Sequence, residues 1–132
     1  MYKEKKAIKY SIKFDEDKKI IHYKHYGILY VYDVISAWDE IIKTNEYRYK
    51  GYNVISDYSD ADFGFGIEGT KEIDDYLERI KHLTKGKKSA IIANKPQNIV
   101  IPLLYQKKSE NELGFQIKAF TTHKAAQHFV SI

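Results

Sequence analysis

The sequence predicts a mixed α/β fold, because stretches with alternating apolar and polar residues are interleaved with stretches whose apolar residues recur every three or four positions. The first two strand patterns are joined by a short turn, which favours an antiparallel hairpin. Each later strand pattern is followed by a helical one, which favours parallel strands joined by right-handed crossovers. The predicted order is ββαβαβαβα, a mixed five-stranded sheet, and residues 1–132 are expected to form a single domain.

The N-terminal hairpin is predicted from strict alternation over residues 7–14. Charged residues 15–19 predict the turn, and residues 20–26 predict the second strand, which Gly27 is expected to end or to bulge. The apolar face of the first strand consists of Ile8, Tyr10, Ile12 and Phe14.

Three helices are predicted from apolar stripes and end signals. The first spans residues 33–44 with Asp33 as its cap, the second ends at Gly86, and the third spans residues 98–110, where Pro102 is tolerated only near the first turn. The stripes of the first two helices are Val34, Ala37, Trp38, Ile41 and Ile42, and Ile73, Tyr76, Leu77, Ile80 and Leu83.

Three further strands and a last helix complete the pattern. Residues 52–57 form a short apolar strand that an aspartate-rich loop through residue 62 is expected to close. Residues 89–93 are uniformly apolar, as in a central strand covered on both faces, and residues 115–119 alternate again. Thr121 or Thr122 is expected to cap the final helix.

The composition excludes several classes of protein. The chain has no cysteine, which fits a reducing cytoplasm, and it has neither a secretion signal nor a run approaching the roughly 18 apolar residues that cross a bilayer. The net charge of +4 comes from 20 lysines and only two arginines. Because bidentate recognition of phosphates and guanines depends on arginine, we expect no nucleic-acid partner.

Several motifs together resemble the SpoIIAA-like branch of the bacterial STAS superfamily, over nearly the whole chain. They are Gly27 before a helix with Ala37 and Trp38, a strand ending at Asp57, the apolar strand Ala90 to Ala93, Gly114 with Phe115, and Phe120, Thr121, Thr122, Ala125 and Ala126. The resemblance implies a STAS-like fold and a non-enzymatic switch or scaffold module with no cofactor. It also implies two functions: binding a protein partner, or carrying a small apolar or lipid-like ligand with membrane association.

The resemblance places the partner-binding surface between residues 57 and 70. Related anti-sigma antagonists carry a phosphorylated serine in an Asp-Ser-Ser-Gly motif before the second helix, but here the nearest match, residues 62–65, has no hydroxyl. Neither Ser59 nor Thr70 aligns with that position, so the phosphoswitch is not expected. The predicted partner-binding residues are Asp57, Ser59, Asp60, Phe63, Phe65 and Thr70.

Residues 99–105 are apolar on every side of the predicted helix, which is more than a surface helix requires. Burial against the sheet would explain this run. The alternatives are the lid of an apolar pocket, a membrane-facing surface or a homodimer interface. The residues predicted to contact an apolar ligand are Ile99, Ile101, Leu103 and Leu104.

No other motif predicts chemistry. Residues 64–69 match G-x-G-x-x-G, but they do not directly follow a strand, and Glu68 would repel a phosphate, so a flexible loop is favoured. The carboxylates of Asp57, Asp60 and Asp62 lack the spacing of a calcium loop and are expected to cap turns. The five histidines are scattered, so neither a metal site nor a catalytic residue is predicted.

Overall fold

The computed structural model describes residues 9–131 and confirms the predicted α/β fold. The strands are β1 (Tyr10–Asp15), β2 (Ile20–Leu29), β3 (Asn53–Phe63), β4 (Lys88–Ile92) and β5 (Gln116–Phe120). The helices of the described residues are α1 (Val31–Ile42), α2 (Asn45–Arg48), α3 (Thr70–Arg79), α4 (Lys81–Thr84), α5 (Val100–Ser109) and α6 (His123–Ser131). Ala7 and Ile8 of the predicted first strand lie outside the described residues.

The strands form one sheet in the order β1-β2-β3-β4-β5. β1 and β2 are antiparallel, with Tyr10 opposite His25, and the three remaining pairs are parallel. Because each parallel pair is joined through a helix, α1, α3 and α5 all cover the same face, where Trp38, Tyr76 and Tyr105 belong to the larger core. α6 covers the opposite face over β3, β4 and β5, so the sheet has a helix layer on each side.

β3 is longer than the sequence predicted, because residues 57–62 continue the strand instead of forming a loop. Lys24 of β2 lies opposite Asp57, whereas Tyr26 lies opposite Asp60, so β3 contains one extra residue at this point. Such a β-bulge shifts the alternation of side chains to the other phase. The apolar pattern of β3 is therefore interrupted, and the second half of the strand resembles a loop in the sequence.

A buried asparagine replaces a neighbouring strand along the second half of β3. Asn98 is fully buried, its Oδ1 accepts a hydrogen bond from the Phe63 backbone N–H at 3.2 Å, and its Nδ2 donates to the Ala61 carbonyl at 2.9 Å. Asn98 ends a short 3₁₀ turn, Pro96–Asn98, that precedes α5. This side chain therefore fixes the start of α5 against the end of β3.

Several element ends differ from the predictions by a few residues. α1 begins at Val31, and Asp33 lies in its first turn, where its carboxylate accepts a hydrogen bond from the Tyr30 backbone N–H at 2.8 Å. β2 does not end at Gly27, which instead adopts a φ of 74° within the strand. The predicted second helix is divided at Ile80 into α3 and α4.

Candidate functional site

A cavity of about 70 Å³ lies between the sheet and helices α1, α3 and α5. Its wall is almost entirely hydrocarbon and includes Leu29, Trp38, Ile73, Ile101 and Phe115. Protein cores contain few voids larger than a water molecule, so an apolar space of this size, partly open to the surface, is unusual. The cavity is therefore a feature of the core that calls for an explanation.

The wall of the cavity also contains a polar group. Ser56 is 1% exposed, and its hydroxyl has no hydrogen bond of good geometry among the described residues. The hydroxyl does interact with the phenol of Tyr58: burial raises the pKa of Tyr58, and the Ser56 hydroxyl partly opposes that increase. A buried hydroxyl without a good partner costs about 1–3 kcal/mol, so Ser56 is available to a group entering the cavity.

Two aromatic rings connect the cavity with the protein surface. Phe63, at the end of β3, and Phe65 stack with their ring centroids 5.6 Å apart and an interplanar angle of 19°. Both side chains are half-buried and both line the cavity. The first turn of α5 contributes Ile101 and Pro102 to the same wall, so the two predicted segments meet there.

We define the rim as residues 63–70 and 99–103, the two segments that border the cavity at the surface. Three of its apolar side chains are exposed: Ile67 by 59%, Val100 by 55% and Leu103 by 49%. Each of the three lies within two residues along the chain of a residue that lines the cavity. The one charged residue of the rim is Glu68.

A polar cluster lies on the opposite face of the sheet, centred on Asp57. The Asp57 side chain is 3% exposed, and its carboxylate accepts hydrogen bonds from the Ser59 backbone N–H at 2.9 Å and from the Ser59 hydroxyl at 2.6 Å. Its second oxygen lies 2.8 Å from Nε2 of His123, the first residue of α6. The cluster therefore joins the bulge of β3 to the start of α6.

The ionisation of Asp57 is set by opposing effects. Burial favours the neutral acid, but the two hydrogen bonds from Ser59 and the interaction with His123 together hold the pKa of Asp57 below its usual value. Asp57 is therefore a carboxylate near neutral pH. Lys24 adds positive charge, with its ammonium 4.0 Å from Asp57 and 2.9 Å from Asp60.

The order of these groups differs from that of a nucleophilic triad. In a triad the imidazole stands between the hydroxyl and the carboxylate, so that it can remove the proton of the nucleophile. Here Asp57 stands between Ser59 and His123, and the Ser59 hydroxyl donates to the carboxylate. The arrangement holds the bulge and α6 in place, and it does not direct the Ser59 oxygen toward a base that activates nucleophiles.

A groove of about 260 Å³ lies beside this cluster, on the part of the sheet face next to the start of α6. It is lined by Ser11, Lys13, His22, Lys24 and Asp57, among others. Within residues 9–131, no group of three or more histidine or acidic side chains is placed to hold a metal ion. Over the same residues, no helix combines the length and the apolar character needed to span a bilayer.

The sheet divides the predicted partner-binding residues into two groups. Phe63 and Phe65 border the cavity, and Thr70 is buried beside it, where its backbone carbonyl accepts a hydrogen bond from the Tyr105 hydroxyl at 3.2 Å. Asp57, Ser59 and Asp60 instead belong to the polar cluster on the opposite face. The bulge between Asp57 and Asp60 shifts the alternation of β3, so Asp57 and Phe63 point to different faces of the sheet.

The residues predicted to contact an apolar ligand lie in different environments. Ile101 is 9% exposed and lines the cavity, whereas Leu103 is 49% exposed and points away from the core. Ile99 and Leu104 are half-buried and do not line the cavity. The apolar run is therefore divided between burial, the cavity wall and the exposed rim, which explains why its apolar residues cover every side of the helix.

His123 is a site residue that sequence analysis missed. The available signal was topological: the carboxyl ends of neighbouring parallel strands lie at the same edge of a sheet. Asp57 is the last residue of β3 that pairs with β4, and His123 follows β5 after a two-residue turn. Once the strands are known to be parallel, the two side chains are expected at the same edge.

Together, the antiparallel hairpin, the parallel strands and the helix layers form a SpoIIAA-like fold. Among solved structures, the chain is similar to an uncharacterised protein of the DUF3478 family, with a SpoIIAA-like fold, from Shewanella loihica PV-4. The TM-score is 0.56, the sequence identity is 13%, and the likeness covers 98% of each chain. At this identity the likeness shows the fold alone. No model of a known protein family matches the chain, and neither does any curated protein.

Proposed function

We propose that this protein is a non-enzymatic binding module of the cytoplasm, and that its rim docks a protein partner by receiving one apolar side chain into the cavity. The observation that carries the proposal is the cavity itself, whose wall includes the half-buried Phe63 and Phe65 and the buried Ile101. Interfaces between proteins are dominated by a few anchor residues that fill desolvated pockets. The exposed Ile67, Val100 and Leu103 would supply the apolar surface around such an anchor.

The size of the cavity favours an anchor side chain over a whole ligand. Sites for drug-sized molecules have volumes of about 300–1,000 Å³, and an engineered cavity that binds benzene has about 150 Å³. At about 70 Å³, this cavity accommodates the end of one aliphatic side chain.

Affinity capture from the native cell with two matched variants tests this proposal. Ile67→Asp places a charge on the rim at a side chain that is 59% exposed, and Tyr49→Asp is the control at a remote side chain that is 76% exposed. We expect one or a few proteins to be recovered with the wild type and with Tyr49→Asp but lost with Ile67→Asp. If all three proteins recover the same set, the rim is not the docking surface.

The apolar wall also supports a second candidate, a carrier of a small apolar ligand. A ligand larger than the cavity would require Phe63 and Phe65 to move outward. Native mass spectrometry of the purified protein tests this candidate. A bound apolar molecule, or uptake of a titrated short-chain fatty acid, would support it, and an unliganded mass throughout a titration would contradict it.

A further inference from the structure

The two edges of the sheet differ in how their backbone groups are satisfied. The outer edge of β5 is covered by α5: the Ser109 hydroxyl lies 3.1 Å from the Ile117 nitrogen and 3.3 Å from the Ile117 oxygen, and Gln106 Oε1 accepts from the Ala119 N–H at 2.9 Å. Among the described residues, nothing pairs with the outer edge of β1. An uncovered strand edge is a template for pairing with another strand.

The hydrogen bonds of the hairpin determine which groups of β1 point outward. The Tyr26 N–H donates to the Lys9 carbonyl at 2.7 Å, and Tyr10 lies opposite His25. In an antiparallel ladder, hydrogen-bonded and non-hydrogen-bonded residues alternate. The backbone groups of Tyr10, Ile12 and Phe14 therefore point away from β2, toward the open edge.

We propose that this edge binds the same edge of a second copy of the chain, in antiparallel orientation, to form a homodimer with one continuous sheet. The residues whose backbone groups point outward must lie opposite outward-pointing residues of the second copy. This requirement leaves only a few possible registers for the strand pair. In the register centred on Ile12, Tyr10 of each copy lies opposite Phe14 of the other, and all three outward residues use both their N–H and C=O groups. This inference is independent of the proposed function of the rim.

The charges of β1 select this register over its neighbours. A register shifted one way places Lys9 opposite Lys13 of the second copy, and the opposite shift places the two Lys13 side chains opposite each other. Like charges directly opposite across a strand pair are unfavourable. In the register centred on Ile12, Lys13 lies opposite Ser11 instead, and Lys9 lies opposite Asp15.

The exposed aromatic side chain of β1 gains a partner in the same arrangement. Phe14 is 42% exposed, and the Tyr10 ring of the second copy would cover it. Aromatic pairs across antiparallel strands are among the more stabilising ones. Because the contact is limited to one strand and its neighbours, we expect dimerisation to depend on protein concentration.

Cysteine cross-linking tests both the dimer and its register, because the natural chain contains no cysteine. Ser11 and Lys13 of opposite copies would form a non-hydrogen-bonded pair with Cα atoms about 4.5 Å apart, which suits a disulfide. Two copies of the same position would be diagonal neighbours about 7–8 Å apart, which is too far. We therefore expect disulfide dimers when Ser11→Cys and Lys13→Cys proteins are mixed, and few with either protein alone.

Sedimentation equilibrium of the unmodified chain supplies the second measurement. The expected result is a mass that rises with concentration from 15.5 kDa toward twice that value. This rise should be lost in Phe14→Pro, which removes an outward N–H. A mass of one chain at all concentrations would overturn the proposal. The proposal would also be overturned if the mixture of Ser11→Cys and Lys13→Cys proteins formed disulfide dimers no faster than either protein alone. Such dimers would have to form through another surface.

Discussion

Asp57 shows how a single side chain holds the second face of the sheet together. Its carboxylate binds Ser59 within the bulge of β3 and His123 at the start of α6, at distances from 2.6 to 2.9 Å. The hydrogen bonds from Ser59 also satisfy a backbone N–H that the bulge removes from the ladder. These contacts predict a structural role for Asp57, which sequence analysis placed in the partner-binding surface.

We predict that Asp57→Asn lowers the free energy of unfolding by about 1.5–3 kcal/mol at pH 7, because hydrogen bonds to a buried charge are lost. The control Asp60→Asn changes an exposed ion pair with Lys24 and should cost at most about 1 kcal/mol. Urea unfolding measures both values. An equal effect of the two substitutions would contradict the structural role of Asp57.

The contribution of Asp57 to the stability of the protein should depend on pH. Its pKa is held below the usual value of about 3.9, so its stabilising contribution is complete above that pH and disappears as the pH falls through the lower pKa of the folded state. The stability difference between the wild type and Asp57→Asn should therefore decrease as the pH falls below about 4. A difference that persists undiminished in acid would show that charge is not its source.

At the scale of elements, the first half of β3 could be predicted from the sequence, but its second half could not. Period-2 alternation identified β1, and a short apolar segment at residues 52–57 identified the first half of β3. The apolar run at residues 89–93 identified β4 as a covered central strand. The second half of β3 was missed because the bulge shifts the alternation and because its outer edge is satisfied by the Asn98 side chain, not by a strand. Neither cause leaves a periodic signal.

We predict that Asn98→Ala destabilises the protein by about 1–3 kcal/mol, because the Phe63 N–H loses its buried acceptor. The Ala61 carbonyl keeps a second donor, the Lys95 ammonium at 3.2 Å, so the cost is smaller than the loss of two partners would give. Amide hydrogen exchange should accelerate at Phe63. The exposed neighbour Gln97→Ala is the control, and unchanged exchange at Phe63 in Asn98→Ala would contradict this role.

At the scale of the whole molecule, the sheet places the cavity and the polar cluster on opposite faces. The sequence predicted that residues 57–70 and 99–105 would carry function, but it could not show that the bulge directs Asp57 and Phe63 to different sides. The cavity itself could not be predicted either, because a void depends on how side chains from three helices and the sheet pack in space. What the periodic pattern did provide was the order of elements and the helix stripes.

We predict that Ser56→Val stabilises the protein by about 1 kcal/mol, because it removes a poorly bonded hydroxyl and fills part of the cavity. The same substitution should weaken partner binding by occupying the space of the anchor. Thermal unfolding measures the first effect, and affinity capture measures the second. If the variant is stabilised but binds its partner as well as the wild type does, the cavity does not receive the anchor side chain.

The most direct test of the rim as the docking surface is photo-crosslinking in the native cell, with a photoreactive amino acid at one position at a time. We expect a discrete covalent adduct from Val100 on the rim and none from the remote, exposed Tyr49. Absence of an adduct at Val100, or adducts of the same mass and yield at both positions, would contradict a docking surface at the rim.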